Sequence, residues 1–198
     1  YDILIQQFSK PNLINANEFF LKRVNEGVNV NIDGEDVTLR VIDFENIWEN
    51  SFIATKQYWV QHKKPDIVLL INGIPFVCIE AKQRARRSTN WLEGVRQFRT
   101  YSIDSPKLFI TNCFGVVCNG RLAKYGIPGV SSEYFFEWKD NSINIKHDNP
   151  LLTNGFCEIE EIDNMPFLKI DPVERMKYAL LSQLQPAKVI DILQNFIV

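Results

Sequence analysis

The sequence predicts an α/β fold: a mixed β-sheet flanked by helices, with a helical appendage at the C-terminus. Three observations predict it. Short apolar runs bounded by turn residues recur along the first two-thirds of the chain. Stretches with apolar residues at helical spacing stand between and after them. Their order through the middle of the chain is strand-strand-strand-helix-strand, which builds a mixed sheet.

Asn12 to Glu26 reads as a helix, with Phe19, Phe20 and Val24 apolar and Gly27 as its stop. VNVNI and VTLRVI alternate around Asp33-Gly34 and predict a hairpin. FIATKQYWV (52–60) predicts another strand. The run PDIVLLINGIPFVCIEAK (65–82) holds two more, joined at Asn72-Gly73. Thr89 to Ser102 carries Trp91, Val95 and Phe98 along one helical stripe. KLFIT (107–111) is read as a short buried strand, GVVCNG as a strand and turn, and FFEWK (135–139) as an edge strand. Residues 140–170 are polar, then irregular, and give no clear element. Asp171-Pro172 starts a helix, with Asp at the cap and Pro in the first turn. A second short helix follows Pro186.

The 198 residues are 45% hydrophobic and 23% charged, enough for a full core. No apolar run reaches the ~18 residues a membrane span needs, and YDILIQQFSKPNL is not a signal peptide. That opening and the apolar end ILQNFIV read as cuts in a longer polypeptide. The expected division is an α/β domain over 1–140, its N-terminal part open to truncation, and an irregular segment with helices over 141–198. Cys78, Cys113, Cys118 and Cys157 form no C-x-x-C, and His62 and His147 lie far apart, so zinc is not expected. Reduced core thiols fit a reducing, cytoplasmic setting. Net charge is −2, but its distribution is uneven. Lys82, Arg84, Arg86, Arg87, Arg96 and Arg99 cluster against Glu93 alone, and acids dominate from Glu133 onward. Local sign, not the total, governs phosphate binding.

The run 65–82 carries three charges that a buried hairpin does not need: Asp66, Glu80 and Lys82. Side chains alternate along a strand, so Glu80 and Lys82 share a face. A regular two-residue Asn72-Gly73 loop would set Asp66 opposite Ile79 and turn Glu80 away from it. A three-residue loop, Ile71-Asn72-Gly73, or an equivalent bulge restores the parity. One of the two is expected. Two clustered carboxylates suit a hard divalent cation such as Mg²⁺. A lysine beside them is held cationic, which favours orienting water and stabilising negative charge over general-base work. Charges at strand ends are otherwise simply solvated.

Downstream, Gln97 and Tyr101 of VRQFRTY lie one helical turn apart on one face, flanked by Arg96 and Arg99. An amphipathic helix with a solvated basic side has the same pattern. Arg84, Arg86 and Arg87 follow Lys82, where they suit contact with a phosphate backbone.

With these residues assembled, the chain resembles the nuclease domain of the motor/restriction (HsdR, R) subunit of type I restriction endonucleases, a branch of the PD-(D/E)xK nucleases. The likeness runs over roughly residues 40 to 140, through NSFIATKQY, PDIVLLINGIPFVCIEAK, VRQFRTY, PKLFITNCFGVVCNG and FEWK. It implies a restriction-endonuclease-like sheet. It implies Asp66, Glu80 and the Ala81 carbonyl as ligands of Mg²⁺, Lys82 as the catalytic lysine, and Gln97 and Tyr101 as the family's Gln-x-x-x-Tyr pair. It further implies hydrolytic cleavage of double-stranded DNA, not sequence-specific by itself, alongside methylation (M) and specificity (S) subunits. The family's ATP-driven motor needs a G-x-x-x-x-G-K-[ST] loop, which this sequence lacks. ATP is thus expected only in the longer subunit, with the helices from Asp171 leading toward its motor. The family also carries an acidic residue on an N-terminal helix. Glu18 lies on a helix, but its context does not match. Two other readings stay open: an inactive DNA-binding or subunit-docking module using the 158–163 acids and the Tyr134–Trp138 aromatics, and a repair nuclease of the same superfamily.

Overall fold

The computed structural model describes residues 12–83, 91–137, 157–162, 165–170 and 172–195. The first helix, α1 (Leu13–Glu26), is capped by the Asn12 side chain, which accepts from the Ile14 N–H at 2.8 Å. Its buried stripe is Ala16, Phe20, Leu21 and Val24. A separate hairpin follows, β1 (Val28–Ile32) with β2 (Glu35–Leu39), closed at Asp33-Gly34 with both φ positive.

The centre is a six-stranded sheet in the order β3-β4-β5-β6-β7-β8. Its strands are β3 (Phe52–Lys56), β4 (Ile67–Ile71), β5 (Ile74–Ala81), β6 (Phe114–Cys118), β7 (Ala123–Gly126) and β8 (Phe136–Glu137). Neighbours are antiparallel except β5 and β6, which are parallel. A parallel pair needs a crossover, and α2 (Trp91–Asp104) with the single turn α3 (Lys107–Ile110) lies within it. Beyond the sheet come a second hairpin, β9 (Cys157–Ile162) with β10 (Met165–Ile170), then α4 (Pro172–Gln183) and α5 (Pro186–Asn195). No helix among the described residues is long and apolar enough to cross a membrane.

The sheet divides the core in two. On one face α1 and α5 cover Ile71, Phe76, Val77, Ile79 and Val116, with Val189, Ile190 and Leu193 of α5 in the same cluster. On the other, Val95, Phe98 and Tyr101 of α2 cover Val68, Leu70, Cys78 and Val117. Buried strands of this kind read as continuous apolar runs, and β5 is buried from Ile74 through Glu80.

Several expectations need correction. KLFIT is not a strand: Lys107–Ile110 is a helical turn. A short apolar run does not by itself distinguish the two. Here Leu108 and Phe109 face one core and Ile110 the other. The Asn17 amide of α1 donates at the turn's end, to the carbonyls of Phe109, Ile110 and Asn112, at 3.1, 3.0 and 2.8 Å. The strand expected over 52–60 stops at Lys56, because Gln57 turns to φ +54. β7 and the β9–β10 hairpin were not expected. FFEWK does form the sheet's edge, described as far as Glu137, but Phe135 turns inward and is buried.

Candidate active site

The hairpin β4–β5 determines whether a site exists. Its turn is the two-residue Asn72-Gly73, with φ of +51 and +80. Asn72 is held from outside the hairpin. It accepts from the Ser51 N–H at 2.8 Å and donates to the Val41 carbonyl and the Asn50 side chain, each at 2.8 Å. The parity is corrected further along. Leu70 pairs with Pro75 but Leu69 pairs with Val77, so Phe76 is an extra residue on β5. This is the bulge alternative of the sequence-based expectation. Phe76 and Val77 both join the α1-side core, as a bulge requires. The Phe76 carbonyl accepts from Cys113 N–H at 2.7 Å, and the Pro75 carbonyl from the Thr111 hydroxyl at 2.7 Å. Past the bulge Ile67 pairs with Ile79, and continuing that register sets Asp66 against Glu80.

Asp66, Glu80 and Lys82 therefore converge on the α2 face. Glu80 is wholly buried and Asp66 half-buried. The Ala81 N–H donates to Asp66 Oδ2 at 2.9 Å. Lys82 Nζ donates to Glu80 Oε2 at 3.2 Å and to Gln97 Oε1, and Gln97 Nε2 donates to the Tyr101 hydroxyl. The Lys82 N–H donates to the Cys118 carbonyl at 2.7 Å, fixing the strand end from which the lysine reaches back. Helix α2 comes close here because residue 94 is glycine. A Cβ there would stand 2.8 Å from Val117 Cγ1 and 3.6 Å from Glu80 Cβ.

Burial pushes the Glu80 carboxyl above its usual range, and the Asp66 charge pushes it further; Lys82 only partly offsets them. The Tyr101 hydroxyl is also raised, by burial and then by the Glu80 charge. Burial first, then the Asp66 and Glu80 charges, raises the Cys118 thiol to about 11. The site is thus a negative well in a low-dielectric setting. Glu80 Oε1 is buried and meets no donor at good hydrogen-bond geometry, although the nearby Tyr101 hydroxyl helps to hold the carboxylate's charge. A buried carboxylate oxygen without a well-placed donor, beside a second carboxylate, fits a hard cation. Among the described residues no group of three or more His, Cys, Asp or Glu side chains gathers as a metal centre. The donors on offer are two carboxylates and backbone oxygen.

The other predicted residues divide. Gln97 and Tyr101 sit on the site side of α2, half-buried and buried. Arg96 and Arg99 are exposed on the same helix. Arg84, Arg86 and Arg87 lie outside the described residues. Sequence reasoning missed Gln57. Its N–H donates to the Asp66 carbonyl at 2.9 Å and its amide to Asp66 Oδ1 at 3.4 Å, from a left-handed φ of +54. This left-handed residue thus stands directly beside the carboxylate pair. Only the β3–β4 pairing brings it there, so the sequence carried no signal for it.

A family model described as the type I restriction enzyme R protein N terminus matches residues 2–130. The chain belongs to that family. Among curated relatives of this R-protein N terminus, the type I restriction enzyme HindI endonuclease subunit of Haemophilus influenzae is 30% identical over 166 residues, covering 76% of this chain and 16% of the relative. A putative type I restriction enzyme MjaIXP endonuclease subunit of Methanocaldococcus jannaschii is 26% identical over 209 residues, covering 98% and 19%. The same organism's putative MjaVIIP endonuclease subunit is 42% identical over 74 residues, covering 35% and 7%. The chain spans less than a fifth of the length of these relatives. Its mixed, helix-flanked sheet is consistent with a PD-(D/E)xK core.

Proposed function

We propose that this R-protein N-terminal domain is an Mg²⁺-dependent endonuclease that hydrolyses DNA phosphodiesters within a type I restriction complex. The observation that carries the reading is the convergence of Asp66, Glu80 and Lys82 on one face, with Glu80 Oε1 left buried and without a well-placed donor. Asp66, Glu80 and the Ala81 carbonyl would hold Mg²⁺, which lowers the pKa of bound water and neutralises phosphodiester charge.

Lys82 is tethered by Glu80 and Gln97. Held there, its ammonium orients a water and stabilises charge developing on the phosphate. Gln97 positions Lys82, and Tyr101 positions Gln97. Arg96 and Arg99, with Arg84, Arg86 and Arg87, place the DNA backbone without reading its sequence. Site recognition and methylation then belong to the S and M subunits, and ATP use to the rest of the R polypeptide. The names of the relatives, all endonuclease subunits, support this reading. An inactive docking module would need none of the Glu80–Lys82–Gln97–Tyr101 chain.

The test is cleavage of supercoiled plasmid by the assembled enzyme carrying Asp66→Ala, Glu80→Ala or Lys82→Ala. Nicking and linearisation should disappear while assembly and ATP hydrolysis persist. Full cleavage by these variants would remove the assignment.

A further inference from the structure

The site residues belong to a longer row that crosses the sheet. Gln57 bonds to Asp66, the hairpin register sets Asp66 against Glu80, Glu80 pairs with Val117, Val117 with Lys124, and Lys124 with Glu137. Directly paired residues share a face. Lys124 therefore stands on the α2 face, two strands beyond Glu80, about 10 Å away at the usual strand spacing. A second observation agrees: Lys124 Nζ sits over the Trp91 ring of α2, 4.6 Å from its centroid. Lys124 is half-buried, and among the described residues no carboxylate lies within ion-pair distance of it. An aromatic face holds a cation in place without neutralising it. The row thus carries the Asp66–Glu80 pair and, at its flank, a positive charge seated on an aromatic ring; its exposed cross-strand neighbour Glu137 makes no ion pair with it.

We propose that Lys124, seated on Trp91, binds a backbone phosphate of the DNA strand beside the scissile bond. This rests on the nuclease reading above. An offset of about 10 Å places that phosphate within roughly one to three nucleotides of the cleaved one, at 3.4 Å of axial rise per nucleotide. Lys124 is a positioning residue: it fixes which phosphodiester lies over Asp66 and Glu80, and takes no part in the chemistry.

The test uses the intact R polypeptide, alone for binding and in the assembled enzyme for cleavage, with Lys124→Met, Lys124→Arg and Trp91→Leu. Binding is measured to a short non-specific duplex across a salt series, in Ca²⁺. Lys124→Met should lower the slope of log affinity against log salt by about 0.9, one phosphate contact. It should raise the KM for DNA roughly tenfold with little change in kcat, and leave Mn²⁺ affinity and Tm unchanged. Lys124→Arg should restore the slope, and Trp91→Leu should lose part of the affinity while keeping the slope. An unchanged slope and KM in Lys124→Met would overturn the inference. So would lost subunit assembly with an unchanged slope, which would indicate a protein carboxylate as partner. Asp66→Ala run in parallel separates the two ideas. If it cleaves fully, the nuclease reading fails; if it is dead while Lys124→Met matches wild type, only the Lys124 inference fails.

Discussion

The two faces of β5 are made by one strand and one set of hydrogen bonds, yet they differ in kind. Toward α1 and α5 the strand presents Phe76, Val77 and Ile79, apolar throughout. Toward α2 it presents Cys78, then Glu80, and the chain continues to Lys82. The first face maximises apolar burial. The second gives some of that up, burying a carboxylate whose single ammonium partner does not restore its usual pKa. Such a conflict with good packing is expected where function is placed. The comparison teaches that apolar packing and the buried charged cluster lie on opposite sides of one strand, and that the Phe76 bulge connects them. Its side chain packs on one side, and its extra length turns Asp66 to the other.

The comparison breaks first in activity. Asp66→Ala, Glu80→Ala and Lys82→Ala should each lower DNA cleavage by roughly 10²–10⁴-fold, while Ile79→Val on the opposite face should leave it intact. Plasmid cleavage rates in the assembled enzyme decide this. If Ile79→Val is as damaging as Lys82→Ala, the faces are not separate in function.

Next comes the stability face. Phe76 is fully buried and its ring lies 6.0 Å from that of Phe20. Phe76→Ala should cost about 3–5 kcal/mol, seen as a fall in the urea midpoint. Its cleavage loss should be far below that of Asp66→Ala once the protein is folded.

A smaller effect sharpens the α2 face. Gly94→Ala drives a methyl against Val117 and should destabilise by roughly 1–2 kcal/mol, overpacking exceeding the gain in helix propensity. Combined with Val117→Ala, the loss should be less than the sum of the two single losses. Strict additivity in urea unfolding would mean that helix and strand do not meet as tightly as the geometry shows.

The smallest effect has the opposite sign. Glu80 has a raised pKa in the folded chain. Its contribution to stability is therefore full below the ordinary glutamate range and is lost as pH rises through the raised value. Without metal, Glu80→Gln should raise the Tm at neutral pH. The difference between wild type and variant should vanish toward acid. Thermal melts across pH in EDTA test this, and the stabilised variant should be inactive.

What the sequence determined by itself was a set of candidate charged residues and a parity condition. Strand and helix periods put Glu80 with Lys82, and Gln97 with Tyr101, on shared faces; the family resemblance supplied their reading as one site. The strand period requires one extra residue between Asp66 and Glu80. It does not say where the residue goes. Tertiary structure put it at Phe76, because Asn72 is tied to residues 41, 50 and 51, which holds the turn at two residues, while Cys113 and the α1 core receive the bulge. The same kind of distant contact made KLFIT a helical turn, through Asn17, and brought Gln57 to Asp66 and Lys124 to Trp91. Periodicity is a property of neighbouring residues and can be read along the chain. These placements depend on hydrogen bonds and packing between segments far apart in sequence, which no local pattern encodes.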